Sequence, residues 1–287
     1  MRLAAVCLLT IGWGCQAQTT ERTFEVVSVK LEPPPDGRGF PAITKTGGPG
    51  TSSPTRVTFR HYPLRSLILD AFNVRPYQLS GPGLANAGAT GPDLFEIIAV
   101  LPEGTTMEQY RQMLQRVLIQ RFAIEFRKEK KMATGFELRV NDKGSKLKPL
   151  ADTPPPADEP WESYAKGEDG FPIYPPGRTG RQIKPEMDRI RTKFYTFKMD
   201  AFAVFVSDTL RQPVVDRTGL TGNYTFVLEH QIGAAPAPPI DGSEAPLPGV
   251  PTIYDALKSQ LGLRLVKAQL ETEMLTIEKT NRVPSEN

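Results

Sequence analysis

The sequence predicts an α+β protein made of two tandem copies of a small β-α-β-β-α-β-β module, with the helices of each copy packed on one face of a small sheet. Three observations predict it. Residues 57–72 and 195–210 align without a gap at an offset of 138, with Thr58-Phe59-Arg60 opposite Thr196-Phe197-Lys198. Each stretch begins as an alternating, strand-like run and continues as one apolar helix face. Leu64, Leu67, Ile68 and Phe72 fall at i, i+3, i+4, i+8, and Phe202, Phe205, Val206 and Leu210 repeat that spacing. The elements that follow come in the same order in both halves.

Phe24 to Leu31 alternates as a leading strand, and residues 33–53 read as loop. After the first helix of each copy, Val74–Gly83 and Pro213–Gly222 read as short strands ending in Gly-rich turns. Phe95–Leu101 and Tyr224–His230 read as the next strands. A second helix follows, with Tyr110, Leu114 and Leu118 on its face in one copy and Ile253, Leu257 and Leu261 in the other. Gly262 stops the later one, as a glycine at C′ does. Each copy is expected to close with a hairpin. Ala123–Arg127 would pair with Gly135–Val140, and Leu263–Ala268 with Met274–Lys279. Phe136, Leu138 and Val140 alternate, as do Leu275 and Ile277, which marks half-buried strands.

The expected organisation is a signal peptide at 1–17, a first module at 18–147, a Pro/Gly-rich linker at 148–191 and a second module at 192–287 with a proline-rich loop at 233–251. Met1-Arg2 is a short positive segment, Leu3–Trp13 is apolar but too short to span a bilayer, and Cys15 and Ala17 are small residues at −3 and −1 of a cleavage site. Cleavage after Ala17 and export to the periplasm or beyond are expected. Acylation at Cys15 is the weaker alternative, because Gly12 stands where an aliphatic residue is usual and Trp13 is bulky. Both cysteines, Cys7 and Cys15, lie in the removed segment, so the mature chain stands without disulfides.

Lys plus Arg is 35 against 32 for Asp plus Glu, too balanced for a nucleic-acid binder. Two histidines and no cysteine after residue 15 leave little for a zinc or iron–sulfur site, so no metal or cofactor is expected. At 39% hydrophobic and 23% charged the chain is globular, and no interior stretch is long and apolar enough for a transmembrane helix.

Several segments resemble the soil-associated secreted protein family, an acidobacterial family of unknown function. The carriers are Phe24-Glu25-Val26-Val27-Ser28-Val29-Lys30, Pro63-Leu64-Arg65-Ser66-Leu67-Ile68, Pro76-Tyr77-Gln78-Leu79-Ser80-Gly81-Pro82 and Pro102-Glu103-Gly104-Thr105-Thr106. The sharpest is Pro213-Val214-Val215-Asp216-Arg217-Thr218-Gly219-Leu220-Thr221-Gly222-Asn223-Tyr224, and Pro284-Ser285-Glu286-Asn287 also fits. The chain departs from that pattern at Leu84, where relatives carry a Trp, and in the Ala85–Gly91 insertion. The resemblance implies an exported bacterial protein and supplies no activity. Each module is also similar in element order to the periplasmic N-terminal domains of secretins and TonB-dependent receptors, a fold-level likeness only.

Catalytic patterns are weak. Ser163-Tyr164-Ala165-Lys166, Lys45-Thr46-Gly47 and Ser207-Asp208-Thr209 imitate penicillin-binding motifs, but in the wrong order and the wrong elements. His61 and His230 sit in no ligand spacing, and Gly47-Gly48-Pro49-Gly50 is no phosphate loop. Asp216, Arg217, Thr218, Gly219 and Gly222 form the densest polar cluster. It reads as a turn in which Asp216 binds backbone amides and both glycines take positive φ, or as a ligand site. Arg127, Lys128, Lys130 and Lys131 form a basic run, read as a solvated strand edge or a patch for anionic envelope polymer. The overall expectation is a non-catalytic binding or scaffold protein that takes another envelope protein by strand addition at a sheet edge. The alternatives are a hydrolase using carboxylates such as Asp70, Glu96 or Asp216, and a sensory domain binding a small ligand.

Overall fold

The computed structural model describes residues 22–33, 42–86, 94–154, 156, 164–232, 249–281 and 283–285. The segment 1–17 and most of the loop 233–251 lie outside the described residues. In chain order the elements are β1 (Val26–Leu31), β2 (Thr44–Gly47), β3 (Arg56–Pro63), α1 (Leu64–Phe72), β4 (Leu79–Ser80), β5 (Leu94–Val100), α2 (Met107–Phe122), β6 (Glu125–Val140), β7 (Gly180–Pro185), β8 (Arg189–Phe197), α3 (Met199–Leu210), β9 (Val214–Asp216), β10 (Tyr224–Gln231), α4 (Ile253–Ala256, continued by a π turn at Leu257–Leu261) and β11 (Leu263–Lys279). Among the described residues the fold is mixed α/β, mostly strand, with four helices and three sheets of order β1-β5-β3-β2, β10-β8-β7 and β4-β11-β6-β9. The chain divides into two compact units, residues 1–73, 85–124 and 280–287 in one and 74–84 and 125–279 in the other.

In the first unit all strand pairs are antiparallel. Val57, Phe59, Phe95, Ile97 and Ala99 are buried on one face. Phe122 at the end of α2 meets Phe95 edge-on at 5.0 Å, so α2 covers that face, and Gln115 ties α2 to α1 by donating to Ala71 O at 2.7 Å. Thr106 caps α2, accepting from Gln109 N–H while the Gln109 side chain returns to Thr106 N–H. Asp70 accepts from Lys45 at 2.9 Å and from Tyr62 OH at 3.0 Å. Burial first, then the Asp70 charge, holds the Tyr62 and Tyr110 hydroxyls protonated far above the ordinary phenol range.

In the second unit one core gathers Phe194, Phe202, Phe205 and Phe226 with α4, the start of β11 and the later half of β6. Phe194 touches all three of the other rings at 4.9–5.2 Å. Thr252 caps α4 and Gly262 ends its π turn at φ 70°. A Cβ at Gly262 would lie 2.4 Å from Gly144 O, so glycine is required there twice over. The opposite face of the β10-β8-β7 sheet is covered by residues 164–178. Composition reads residues 148–191 as an extended linker, yet β7 lies within that range and Phe171 is fully buried. The Phe171 ring is approached by the cationic groups of Lys184 at 4.8 Å, Arg191 at 5.5 Å and Lys193 at 6.0 Å. Prolines that forbid ladder bonding suit a layer that rests on a sheet by side chains as well as they suit a spacer.

The two units share a local device. Pairing to the neighbouring strand slips between Phe59 and Tyr62 in β3, and again opposite the stretch from Phe194 to Phe197 in β8. The bulged residues His61 and Thr196 have φ of 52° and 48°. In each case the ring pair across the bulge meets at the same tilt, Phe59–Tyr62 at 4.8 Å and Phe194–Phe197 at 5.0 Å, both 63°. Helices start directly afterwards, with Pro63 and Lys198 as N-caps, and end at left-handed Asn73 and Arg211. The matching residues are therefore 135 apart through the bulge and 138 apart only at the C-cap, because α1 has 9 residues and α3 has 12. The gapless offset of 138 is corrected accordingly. Three residues are close to one helical turn, so a one-turn slip leaves the same face apolar.

The expected closing hairpins do not form. Residues 128–134 and 269–273 hold no Gly, Pro, Asn or Asp to reverse the chain, so β6 and β11 run on for 16 and 17 residues and pair with each other from Glu125↔Lys279 to Val140↔Leu263. β4 joins this ribbon parallel to β11 at Leu275–Thr276, and β9 joins it parallel to β6 at Phe136–Leu138.

Two outcomes follow. Phe171→Ala is expected to cost about 3–5 kcal/mol of unfolding free energy, read from urea midpoints, because the cavity lies under a layer with few other buried anchors. His230 is buried, its Nδ1 contacts Gln231 O at 2.9 Å, its Nε2 has no partner among the described residues, and burial pushes its pKa below 6.5. A group whose folded pKa is depressed binds more protons unfolded, so its stabilising effect is present above pH 6.5 and is lost as pH falls. His230→Leu is expected to flatten the loss of stability between pH 7 and pH 5 relative to the unaltered protein.

Candidate functional site

The β8 bulge floors an open cavity of about 490 Å³ in the second unit. Thr196, the bulged residue, donates its N–H to Thr225 Oγ1 at 3.1 Å and accepts from Thr179 Oγ1 at 3.4 Å. A β-branched residue at positive φ is rare and persists only when its surroundings hold it. One wall comes from residues 150–153, whose path is set where Leu150 N–H bonds Asn223 O at 2.8 Å. The opposite wall is the run Ile173–Arg178, held by Tyr195 OH donating to Pro172 O at 2.7 Å. Gly177 takes φ 82°, and a Cβ there would lie 2.2 Å from Pro154 O, so only glycine lets the two walls close together.

The lining is aromatic and cationic. Tyr174 stands between Tyr195 at 4.4 Å and Tyr164 at 5.2 Å. Arg178 lies over both Tyr174, at 4.9 Å, and Tyr164, at 5.3 Å, and donates to Tyr164 OH. Gln182 fixes the Tyr174 hydroxyl at 2.8 Å. Lys193 lines the same site, but its ammonium is already paired with Asp169 at 2.6 Å, and that bond holds the Asp169 carboxyl below its ordinary range. Burial pushes the Tyr195 phenol well above its ordinary value. Among the described residues lining the cavity there are two cationic side chains and no carboxylate. A second groove of about 600 Å³ is lined by polar residues; in it Arg264 pairs with Asp142 at 3.2 Å and Lys146 donates to the Ser259 carbonyl.

Sequence reasoning missed this cavity. Tyr174, Pro175, Pro176 and Arg178 lie where proline content reads as linker, and a bulge leaves no periodic signature. The one available signal was the cluster of Tyr and Arg within the proline run.

Residues 65–280 match a family model described as "Protein of unknown function (DUF3738)". The chain belongs to that family. No curated protein and no solved structure matches it. The residues singled out in this DUF3738 chain are placed as follows. Asp216 Oδ1 accepts from Thr218 N–H at 2.9 Å, and Thr218 Oγ1 accepts from Leu220 N–H at 3.1 Å. Arg217 N–H bonds Leu138 O, and its side chain lies 4.0 Å from Glu137. Gly219 has φ 71°, whereas Gly222 is not in the left-handed region. Gly222 serves instead by letting Pro149 and Tyr224 approach to 3.2 and 3.3 Å of where a Cβ would stand. The cluster is a pair of side-chain-stabilised turns following β9.

The basic run lies on β6 and faces carboxylates. Lys130 pairs with Glu271 at 2.8 Å, Lys128 with Glu273 at 3.4 Å, Arg127 with Glu278 and Glu129, and Lys131 with Glu129 at 2.6 Å. His61 is held by Glu32, and Ser207 donates to Gln212 O at 2.6 Å. Lys45 lies on β2 and is bound to Asp70; Ser163 lies outside the described residues. Among the described residues no three His, Cys, Asp or Glu side chains gather as a metal set, and no helix is long and apolar enough to cross a membrane. Asp216→Ala is expected to lower stability by about 1 kcal/mol through loss of the turn bond, measured by urea unfolding.

Proposed function

We propose that this DUF3738 chain is an exported, non-catalytic binding protein of the bacterial envelope, descended from a duplicated α+β module, and that its second unit carries the ligand site. The observation that carries the reading is the cavity at the β8 bulge, an apolar and aromatic hollow with cationic groups at its edge. The matched bulges, ring pairs and left-handed helix ends support the duplication. The signal-like segment 1–17 and the resemblance to soil-associated secreted proteins support export. The secretin- and TonB-like element order supports binding over chemistry by analogy alone.

Expressed in a Gram-negative host with its own N-terminus, the protein is expected in the periplasmic fraction with Gln18 as its first residue. The purified protein is expected to gain melting temperature, saturably, from a small-molecule fraction of envelope extract and to hydrolyse no envelope polymer. Retention in the cytoplasm would refute the export, and steady turnover of a substrate would refute the binding role.

A further inference from the structure

The three-stranded sheet of the second unit has two outer edges, and among the described residues only one of them is closed. Along β10 the Gln260 side chain donates to Glu229 O at 2.7 Å and accepts from Glu229 N–H at 2.9 Å, and Gln231 N–H bonds Pro251 O at 2.9 Å. The other edge is β7, which pairs with β8 alone. Bonding and non-bonding positions alternate along an antiparallel pair. Glu186 N–H bonds Arg189 O at 2.8 Å across the hairpin turn, so Lys184, Gln182 and Gly180 are the residues that bond β8. The N–H and C=O groups of Arg181 and Ile183 therefore point away from the sheet, and nothing among the described residues receives them. Pro185 stands at the next outward position, where its missing N–H takes no bond from β8, as a proline in an edge strand requires.

An open edge is usually guarded by charge. The cations of β7 are turned elsewhere. Lys184 donates to Gly170 O on the face that Phe171 covers, and Arg181 lies over the Phe205 ring at 5.4 Å on the other face. Gln182 is held at the Tyr174 hydroxyl. The edge thus presents main chain and apolar side chains: Ile183 is 48% exposed, and Met187 at the hairpin turn is fully exposed. We infer that β7 pairs antiparallel with β7 of a second copy of this chain, about a two-fold axis at Ile183, joining two three-stranded sheets into one. The strand is self-complementary in that register. Ile183 meets Ile183 of the second copy and exchanges N–H and C=O bonds with it. Arg181 meets Pro185 of the second copy and donates its N–H to the proline carbonyl, so the position that lacks a donor serves as an acceptor. Gln182 meets Lys184. No two like charges are directly opposed, and the two Arg181 residues fall at opposite ends of the paired stretch. Pro185 and Met187 of each copy extend the Ile183 contact along one face. No residue of β7 lines the β8 cavity, so this pairing stands or falls apart from the ligand reading.

The test is sedimentation equilibrium of the purified protein over a range of concentrations. A reversible dimer of twice the chain mass is expected. Ile183→Lys and Ile183→Pro are each expected to weaken it about tenfold or more, the first by placing like charges on the axis and the second by removing the N–H that crosses it. Neither change takes a bond from β8, and an unchanged melting temperature verifies that the variants fold. Val26→Lys, at a comparably exposed residue on the edge strand β1, is expected to leave the dimer intact. Hydrogen exchange on the unaltered protein reads the same contact without substitution, and the Arg181 and Ile183 amides are expected to slow at concentrations where the dimer forms. A monomer at every concentration, a dimer that both Ile183 variants leave intact, or a dimer in which those two amides exchange as fast as in the monomer overturns the inference.

Discussion

The ladder between β6 and β11 is the constraint on which the second unit depends. It joins segments whose residues are more than a hundred positions apart, and it carries β4 and β9 on opposite edges. The later part of β6 and the start of β11 also supply Phe136, Leu138 and Leu263 to the core under α3 and α4. Nothing local holds these strands extended. Their alternation is imperfect, and exposed ion pairs such as Lys130–Glu271 contribute little each. Sixteen paired positions and a buried end make the ladder stable, and its middle stays soluble because both faces there are charged.

The bulge before each first helix shows how one device yields two outcomes. In β3 the left-handed residue is a histidine whose backbone and ring are both held by one glutamate. In β8 it is a threonine held by a neighbouring hydroxyl, and the space beside it is left to aromatic rings and an arginine. The backbone is alike; the side chains decide whether the hollow is filled from within. Phe171, surrounded by three cationic groups, supplies the fixed layer from which Tyr174 and Arg178 extend toward that hollow.

Much of this was legible in the sequence, and the misses have physical causes. The faces of α1, α2, α3 and α4 follow from apolar spacing, and Gly262 ends its helix as expected. Periodicity cannot detect a slip of one turn, which is why the offset at the bulge is 135 and not 138. Alternation at Phe136, Leu138 and Val140 identifies a strand but says nothing of its partner, and the absence of turn residues at 128–134 was the signal against a hairpin. Asp216 was legible as a turn residue, whereas the assignment of positive φ to Gly222 confused two uses of glycine, conformational freedom and close approach. The candidate site was invisible because its floor is a break in register and its walls are written in prolines.

The central ribbon has a consequence for how the molecule comes into being. Its second strand, Leu263–Lys279, comes more than a hundred residues after its first, Glu125–Val140. A ribosome delivers the amino end first, so β6 is made long before its neighbour exists. Until Leu263–Lys279 has been made it must wait as an unpaired edge rich in lysine and glutamate, a composition that keeps a lone strand in water and away from other nascent chains.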